Sequence, residues 1–226
     1  RHFQRIISVG ALGKLVANSI LISLLTGLVG TILVLTASYV YVRNKGGLQP
    51  MKKVTHGLYM TSLAIPGLAL GLAFALFFKG TALYNTMAIL VIVNVVHFFG
   101  SPYMMAISHF KLLNPNLESI CKTLGGNWFN VIFDVILPNS KQVLTDVFIY
   151  FFTNSMVTIS AVSLLYTSKS MTLALQITTY NDQGHWESAV AVSLVILLIN
   201  TAMKLWQNYR LEHARRLALE QPMVEG

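Results

Sequence analysis

The sequence predicts an all-α fold, a polytopic transmembrane helical bundle of about five spans with a long amphipathic loop on its cytoplasmic side. Three observations carry this. The 226 residues are 54% hydrophobic and only 11% charged, where a soluble domain carries roughly 25% charged residues. Mean hydropathy is +0.62. Five runs reach the length of about 20 apolar residues that a helix needs to cross a bilayer. They are continuously apolar, without the in-and-out alternation of a barrel strand of about 10 residues.

Each element follows in chain order. The runs are 15–42, 54–78, 86–110, 143–167 and 188–206, within a transmembrane domain over 15–210. Connections rich in Lys and Arg belong on the cytoplasmic side. Arg43, Lys45, Lys52 and Lys53 lie between the first two runs, Lys111, Lys122 and Lys141 in the long connection 111–142, and Arg210, Arg215 and Arg216 around the start of the tail 211–226. The alternate connections hold only Lys79, and Lys169 against Asp182 and Glu187, so they face out. With five spans and a cytoplasmic C-terminus, residues 1–14 are expected on the outer face, following an upstream span that this sequence lacks. The net charge of +8 is accounted for by these loops and by anionic lipid. Nucleic acid is not an expected partner, because no basic cluster interleaves with aromatic residues.

The connection contains ESICKTLGGNWFNVIFDVILP, residues 118–138. Asn114 and Pro115 end the third run and Asn116 can cap a new helix. Ile120, Leu124 and Val131 are placed on one side, with Glu118, Lys122 and Asn130 on the others. Gly125 and Gly126 would kink the segment or admit another backbone closely. After Phe133, Asp134 and Ile136, the pair Leu137 and Pro138 is expected to stop it. Cys121 has no internal disulfide partner and reads as a small apolar helix residue.

This loop resembles the coupling loop of binding-protein-dependent ATP-binding cassette importer permeases. That family's pattern is Glu-Ala-Ala, a Gly four residues later, a hydrophobic residue ten beyond that Gly, and a terminal Leu-Pro. Gly125 matches the Gly, Val135 the hydrophobic position and Leu137-Pro138 the ending; Leu124 and Trp128 are also common choices. Ser119, Ile120 and Cys121 replace Glu-Ala-Ala, and Glu118 stands one residue ahead of the usual Glu. The first run, headed by Asn18 and Ser19, the second with Pro66 and Gly67, and the fourth with its outer loop extend the resemblance over nearly the whole chain. They are similar to the branch that imports ferric iron, thiamine and phosphonates such as 2-aminoethylphosphonate.

The resemblance implies a non-enzymatic permease subunit of the bacterial inner membrane, which forms the translocation pathway. It also implies its partners: ATP-binding cassette ATPase subunits, a second permease module, fused or homologous, and an outer-face solute-binding protein. Leu124, Gly125, Gly126, Trp128 and Phe129 would then contact the ATPase, flanked by Glu118 and Lys122, while Pro138 sets how the next span leaves. No cofactor is expected on this chain. The P-loop G-x-x-x-x-G-K-[ST] is missing from the sequence, so ATP would be used by a partner.

Within the runs, Pro66, Gly67, Gly71, Asn94, Asp146, Asn154 and Thr158 are candidates for a pathway or gate. Gly67 and Gly71 also suit close helix packing, and Pro66 a bend. Asp146 suits a structural role as well as a gating one. Asn94, Asn154, Ser155, Thr158 and Ser160 could line a passage or bond between helices. His97 and His109 have no second ligand at metal spacing, so no metal site is expected. Two other classes stay open. An ion-coupled secondary transporter would use intramembrane charges and internal repeats, and a non-transporting structural subunit would bind no ATPase.

Overall fold

The computed structural model describes residues 9–43 and 49–220. The calls on residues 1–8, on Lys45 and on 221–226 lie outside these. The described residues form helices α1 (Val9–Arg43), α2 (Gln49–Thr61), α3 (Gly67–Phe78), α4 (Met87–Phe98), α5 (Gly100–Leu112), α6 (Leu117–Thr123) and α7 (Trp128–Asn130). A π-helical turn, Val131–Ile136, leads into α8 (Leu137–Asn139), followed by α9 (Lys141–Val157), α10 (Leu173–Asp182) and α11 (Trp186–Glu220).

The long helix α1 is built for lipid. Ser19, Ser23, Thr26, Thr31 and Ser38 recur at helical spacing and are buried, while Leu21, Leu28, Ile32 and Val40 are exposed. Apolar side chains lose nothing by facing acyl chains, so the inner face is free to use small and hydroxylated residues that let backbones approach. Gly27 and Gly30 complete that face. A Cβ there would stand 2.7 Å from the ring of Phe148 at Gly27 and 2.7 Å from that of Phe151 at Gly30, so α9 beds directly on the α1 backbone.

Among the described residues two single helices are long and apolar enough to span, Leu12–Arg43 and Trp186–Glu212. The third run forms a bent pair, α4 and α5, at 58°. Pro102 explains the bend: its ring excludes the carbonyl four residues earlier and it offers no N–H. The second run is not one helix. It breaks over 62–66, where Pro66 takes an extended conformation (φ −60°, ψ 136°) and α3 starts afresh at Gly67. Pro66 therefore does not bend a continuous helix, as the sequence suggested; it separates two. The fourth run stops at Val157 instead of 167, because Thr158 turns extended (φ −68°, ψ 128°). Hydropathy stays high past that point, so the apolar run outlasts the helix. At the chain's other limits, α1 begins before residue 15 and α11 continues beyond 210.

The breaks meet each other. The Ser62 hydroxyl accepts the Gly100 N–H at 2.8 Å, joining the gap between α2 and α3 to the α4–α5 bend. The segment after α9 packs on α3, for a Cβ at Gly71 would stand 2.6 Å from the Ala161 carbonyl oxygen. Gly67, Gly71 and Gly100 are buried where the three segments meet, while Leu63 and Ile65 of the gap stay exposed. Asn18 donates to the carbonyls of Lys169 (2.9 Å) and Met171 (3.0 Å), and Ser19 accepts from the Leu173 N–H (2.8 Å), so the head of α1 fixes the connection into α10. At the opposite end of α1, Val34, Tyr103, Ile107, Phe110, Val131, Ile136 and Val147 form the cluster on which the 111–142 loop sits.

Candidate functional site: a bent, apolar-tipped helical loop

The loop begins where α5 ends. Asn116 does not cap α6 with its side chain; instead the Asn114 side-chain oxygen accepts the Asn116 N–H at 2.9 Å, turning the chain into α6. Gly125 then ends α6 in the left-handed region, φ +84°. The Gly126 N–H donates to the Cys121 carbonyl (2.9 Å) and the Gly125 N–H to that of Lys122 (3.0 Å). This pair of bonds is the Schellman arrangement, which satisfies carbonyls that would otherwise be orphaned at the helix end.

The two glycines therefore do different jobs. A Cβ on Gly125 would meet nothing within 4 Å, so only its φ demands glycine. A Cβ on Gly126 would lie 2.6 Å from the Cys121 sulfur and 2.8 Å from its carbonyl oxygen, so there the backbone does approach closely, but onto its own preceding helix.

The second arm starts with a reciprocal cap. The Asn130 N–H donates to the Asn127 side chain (3.0 Å), and the Asn127 N–H donates to that of Asn130 (3.1 Å). Asn130 also donates to Asp134 at 2.8 Å. Pro138 does not stop this arm, as the sequence suggested. It stands in α8 just past the π-helical turn, where the Leu137 N–H reaches the Ile132 carbonyl, five residues back. The missing Pro138 N–H and the bulk of its ring disfavour the ordinary ladder, and the turn widens. The Asn139 side chain donates to the Val135 carbonyl at 2.7 Å. The arm ends at Ser140, whose hydroxyl bonds His109 of α5 at 3.0 Å.

Burial sorts the predicted contact residues. Leu124 is 82% exposed and Phe129 68%, so both project from the bend. Ile120 and Phe133 are exposed too, giving each arm an apolar pair four residues apart on one helical face: Ile120 with Leu124, and Phe129 with Phe133. An open groove lined by Ile120, Cys121, Leu124, Asn130, Asp134 and Val135 runs between the arms. Lys122 and Pro138 are exposed, and Leu137 is half-buried. Val131 does not share a face with Ile120 and Leu124; it is fully buried in the bundle. Trp128 is only partly available, because its ring lies 6.0 Å from that of Tyr39 on α1.

Glu118 corrects the sequence reading most clearly. It does not flank the tip but turns inward, with one carboxylate oxygen 3.3 Å from the Arg43 Nε at the end of α1. Arg43 itself was legible only as a positive loop charge. Its partner sits 75 positions away, and nothing local announces it.

The pathway candidates do not form one cluster. Gly67 and Gly71 both lie under the segment after α9, with a Cβ on Gly67 meeting the Ser160 hydroxyl and, at 3.1 Å, His97. Asn94 is buried and donates to the Ser155 hydroxyl at 2.9 Å, which in turn reaches Thr26 at 3.4 Å, tying α4, α9 and α1 together. Asn154 donates to the Tyr150 carbonyl, and Thr158 to that of Asn154, both within four residues. Asp146 accepts from the Gln207 side chain at 2.6 Å, so the charge is held against α11.

Comparison with known proteins fits this architecture. The chain is similar to a bacterial ABC transporter involved in the import of the acidic polysaccharide alginate, with TM-score 0.74 and 14% identity, covering 92% of this chain and 82% of that one. It is likewise similar to a bacterial alginate ABC transporter in complex with an alginate pentasaccharide-bound periplasmic protein, with TM-score 0.75 and 14% identity over 92% and 81% of the two chains. At that identity the likeness is one of fold. No curated protein matches the chain. Residues 48–211, most of the chain and all of the bent loop, match the family model for the binding-protein-dependent transport system inner membrane component, and the chain belongs to that family.

Proposed function

We propose that this chain couples a separate ATPase to a translocation pathway through the loop 118–138, as one of two permease modules in an ATP-driven importer. The observation that carries the reading is the bend itself. Leu124 and Phe129 are held out from the bundle, on two helix ends each closed by its own hydrogen-bonded cap. Large exposed apolar side chains on a rigid support mark a contact surface. A permease can respond to a distant ATPase only through an element that both contacts it and moves with the spans.

On this reading the loop and the C-terminus are cytoplasmic, and the partners are two ATPase subunits, a second module, fused or homologous, and a solute-binding protein on the outer face. The chain itself holds no ATP. The cargo is assigned, by resemblance in the fourth run and its outer loop, to the phosphonate, ferric iron or thiamine class. The two similar solved structures concern alginate instead, so uptake assays should include an acidic oligosaccharide.

The test is co-purification from detergent-solubilised native membranes, comparing wild type with Leu124→Asp/Phe129→Asp and identifying bound chains by mass spectrometry. Burying a Leu or Phe side chain is worth about 1.5–3 kcal/mol each, so losing both should weaken ATPase capture by at least ~100-fold. Equal capture by the double variant, at equal expression, would refute the contact surface.

A further inference from the structure

We infer that Arg43 is a positioning residue that makes the loop and α1 move as one body, and this rests on the coupling reading above. Arg43 is the last residue of α1. Its guanidinium is engaged on two sides: one terminal nitrogen donates to the Leu113 carbonyl (2.8 Å) and reaches that of Asn114 (3.5 Å), and the Nε lies 3.3 Å from the Glu118 carboxylate in an ion-pair contact without an aligned hydrogen bond. The side chains of Arg43 and Glu118 are only 10% and 19% exposed, so solvent screens the pair little.

The planar fork of an arginine fixes the relative position of the groups it spans, where the flexible point charge of a lysine would not. Here it spans the end of α5, the first turn of α6 and the end of α1. One helical turn earlier, Tyr39 adds a second connection. Its ring packs edge-on against Phe110 at 5.6 Å and faces Trp128 at 6.0 Å. The last turn of α1 therefore holds both arms of the bend, α6 through a charge pair and α7 through an aromatic contact.

The consequence concerns direction of force. A load applied at the exposed tip has a short route into α9 through the continuous backbone after Ser140. Arg43 gives it a charged connection to α1, which carries the buried hydroxyl face of the bundle, beside the weaker polar coupling of Tyr39 to Glu118. Glu118 thus spends its charge inside the permease, and the tip engages its partner through apolar side chains.

The experiment uses the assembled transporter in lipid nanodiscs, in a Cys121→Ser background. Spin labels at Thr123 on the loop and at Val40 on α1 are each paired with a reference label at Leu198 on α11. Distances are measured without nucleotide and with ATP and vanadate. In wild type both labels are displaced together. Arg43→Gln should keep the Thr123 displacement and lose more than half of that at Val40, while Arg43→Lys, which keeps the charge and a donor but not the fork, should recover it in part. A Val40 displacement unchanged in Arg43→Gln overturns the positioning role. If Thr123 itself fails to move in wild type with the ATPase bound, the coupling reading falls instead, so the two failures are told apart.

Discussion

Gly125 allows the sharpest test of how the bend is held. Its φ of +84° lies in the left-handed region, yet a Cβ would meet no atom within 4 Å. Any loss on substitution is therefore conformational, not steric. An L-residue in this region costs roughly 1–2 kcal/mol, with Asn near the low end and a β-branched residue worse. If that cost shifts the loop between bent and opened forms, the ratio of bent to opened loop falls by about 5–30-fold for Gly125→Val. Purified ATPase titrated onto nanodisc-held permease should bind Gly125→Val more weakly, by up to that factor, and Gly125→Asn by much less. Gly126→Ala supplies the contrast. There the added methyl meets the Cys121 carbonyl oxygen at 2.8 Å, so even this smallest substitution must open the turn. Equal affinities for the Val and Asn variants at 125 would show that the left-handed cap does not set the bend.

Two further outcomes follow from packing and polar contacts. Gly71→Ala places a methyl 2.6 Å from the Ala161 carbonyl oxygen and should destabilise the fold by about 1–3 kcal/mol, whereas Gly57→Ala, with open space around it, should gain about 0.5–1 kcal/mol; thermal unfolding in detergent reads both, and a Gly71→Ala melting point at or above wild type would be contrary. Asp146→Asn keeps an acceptor for the Gln207 amide, while Asp146→Leu leaves that amide unpaired at a cost of about 1–3 kcal/mol. Equal damage from Asn and Leu would mean that the negative charge, not the hydrogen bond, is what the site needs.

The fold class was legible because lipid imposes continuous apolar runs, and the loop because Asn, Gly and Pro punctuate it. Two kinds of feature were not. Helix ends inside apolar stretches leave little trace in hydropathy, so the stop at Val157 and the gap before Pro66 were read as spans running on. Long-range polar partners were equally hidden: Glu118 and Arg43 look like two ordinary loop charges until the chain folds. The Asn127 and Asn130 cap does have a signal, two Asn three residues apart at the start of a helix. Pro138 shows the limit of reading a breaker literally. The helix it should have ended widened by one residue per turn instead and continued to Asn139.

The bond from the Gly100 N–H to the Ser62 hydroxyl has a mechanical meaning. Two pivots in separate elements, one between α2 and α3 and one between α4 and α5, would ordinarily give two independent rotations. A shared pin ties them: turning one break without the other must first give up this bond, at a cost of about 0.5–1.5 kcal/mol. Small correlated tilts of the two pairs are thereby favoured over independent ones.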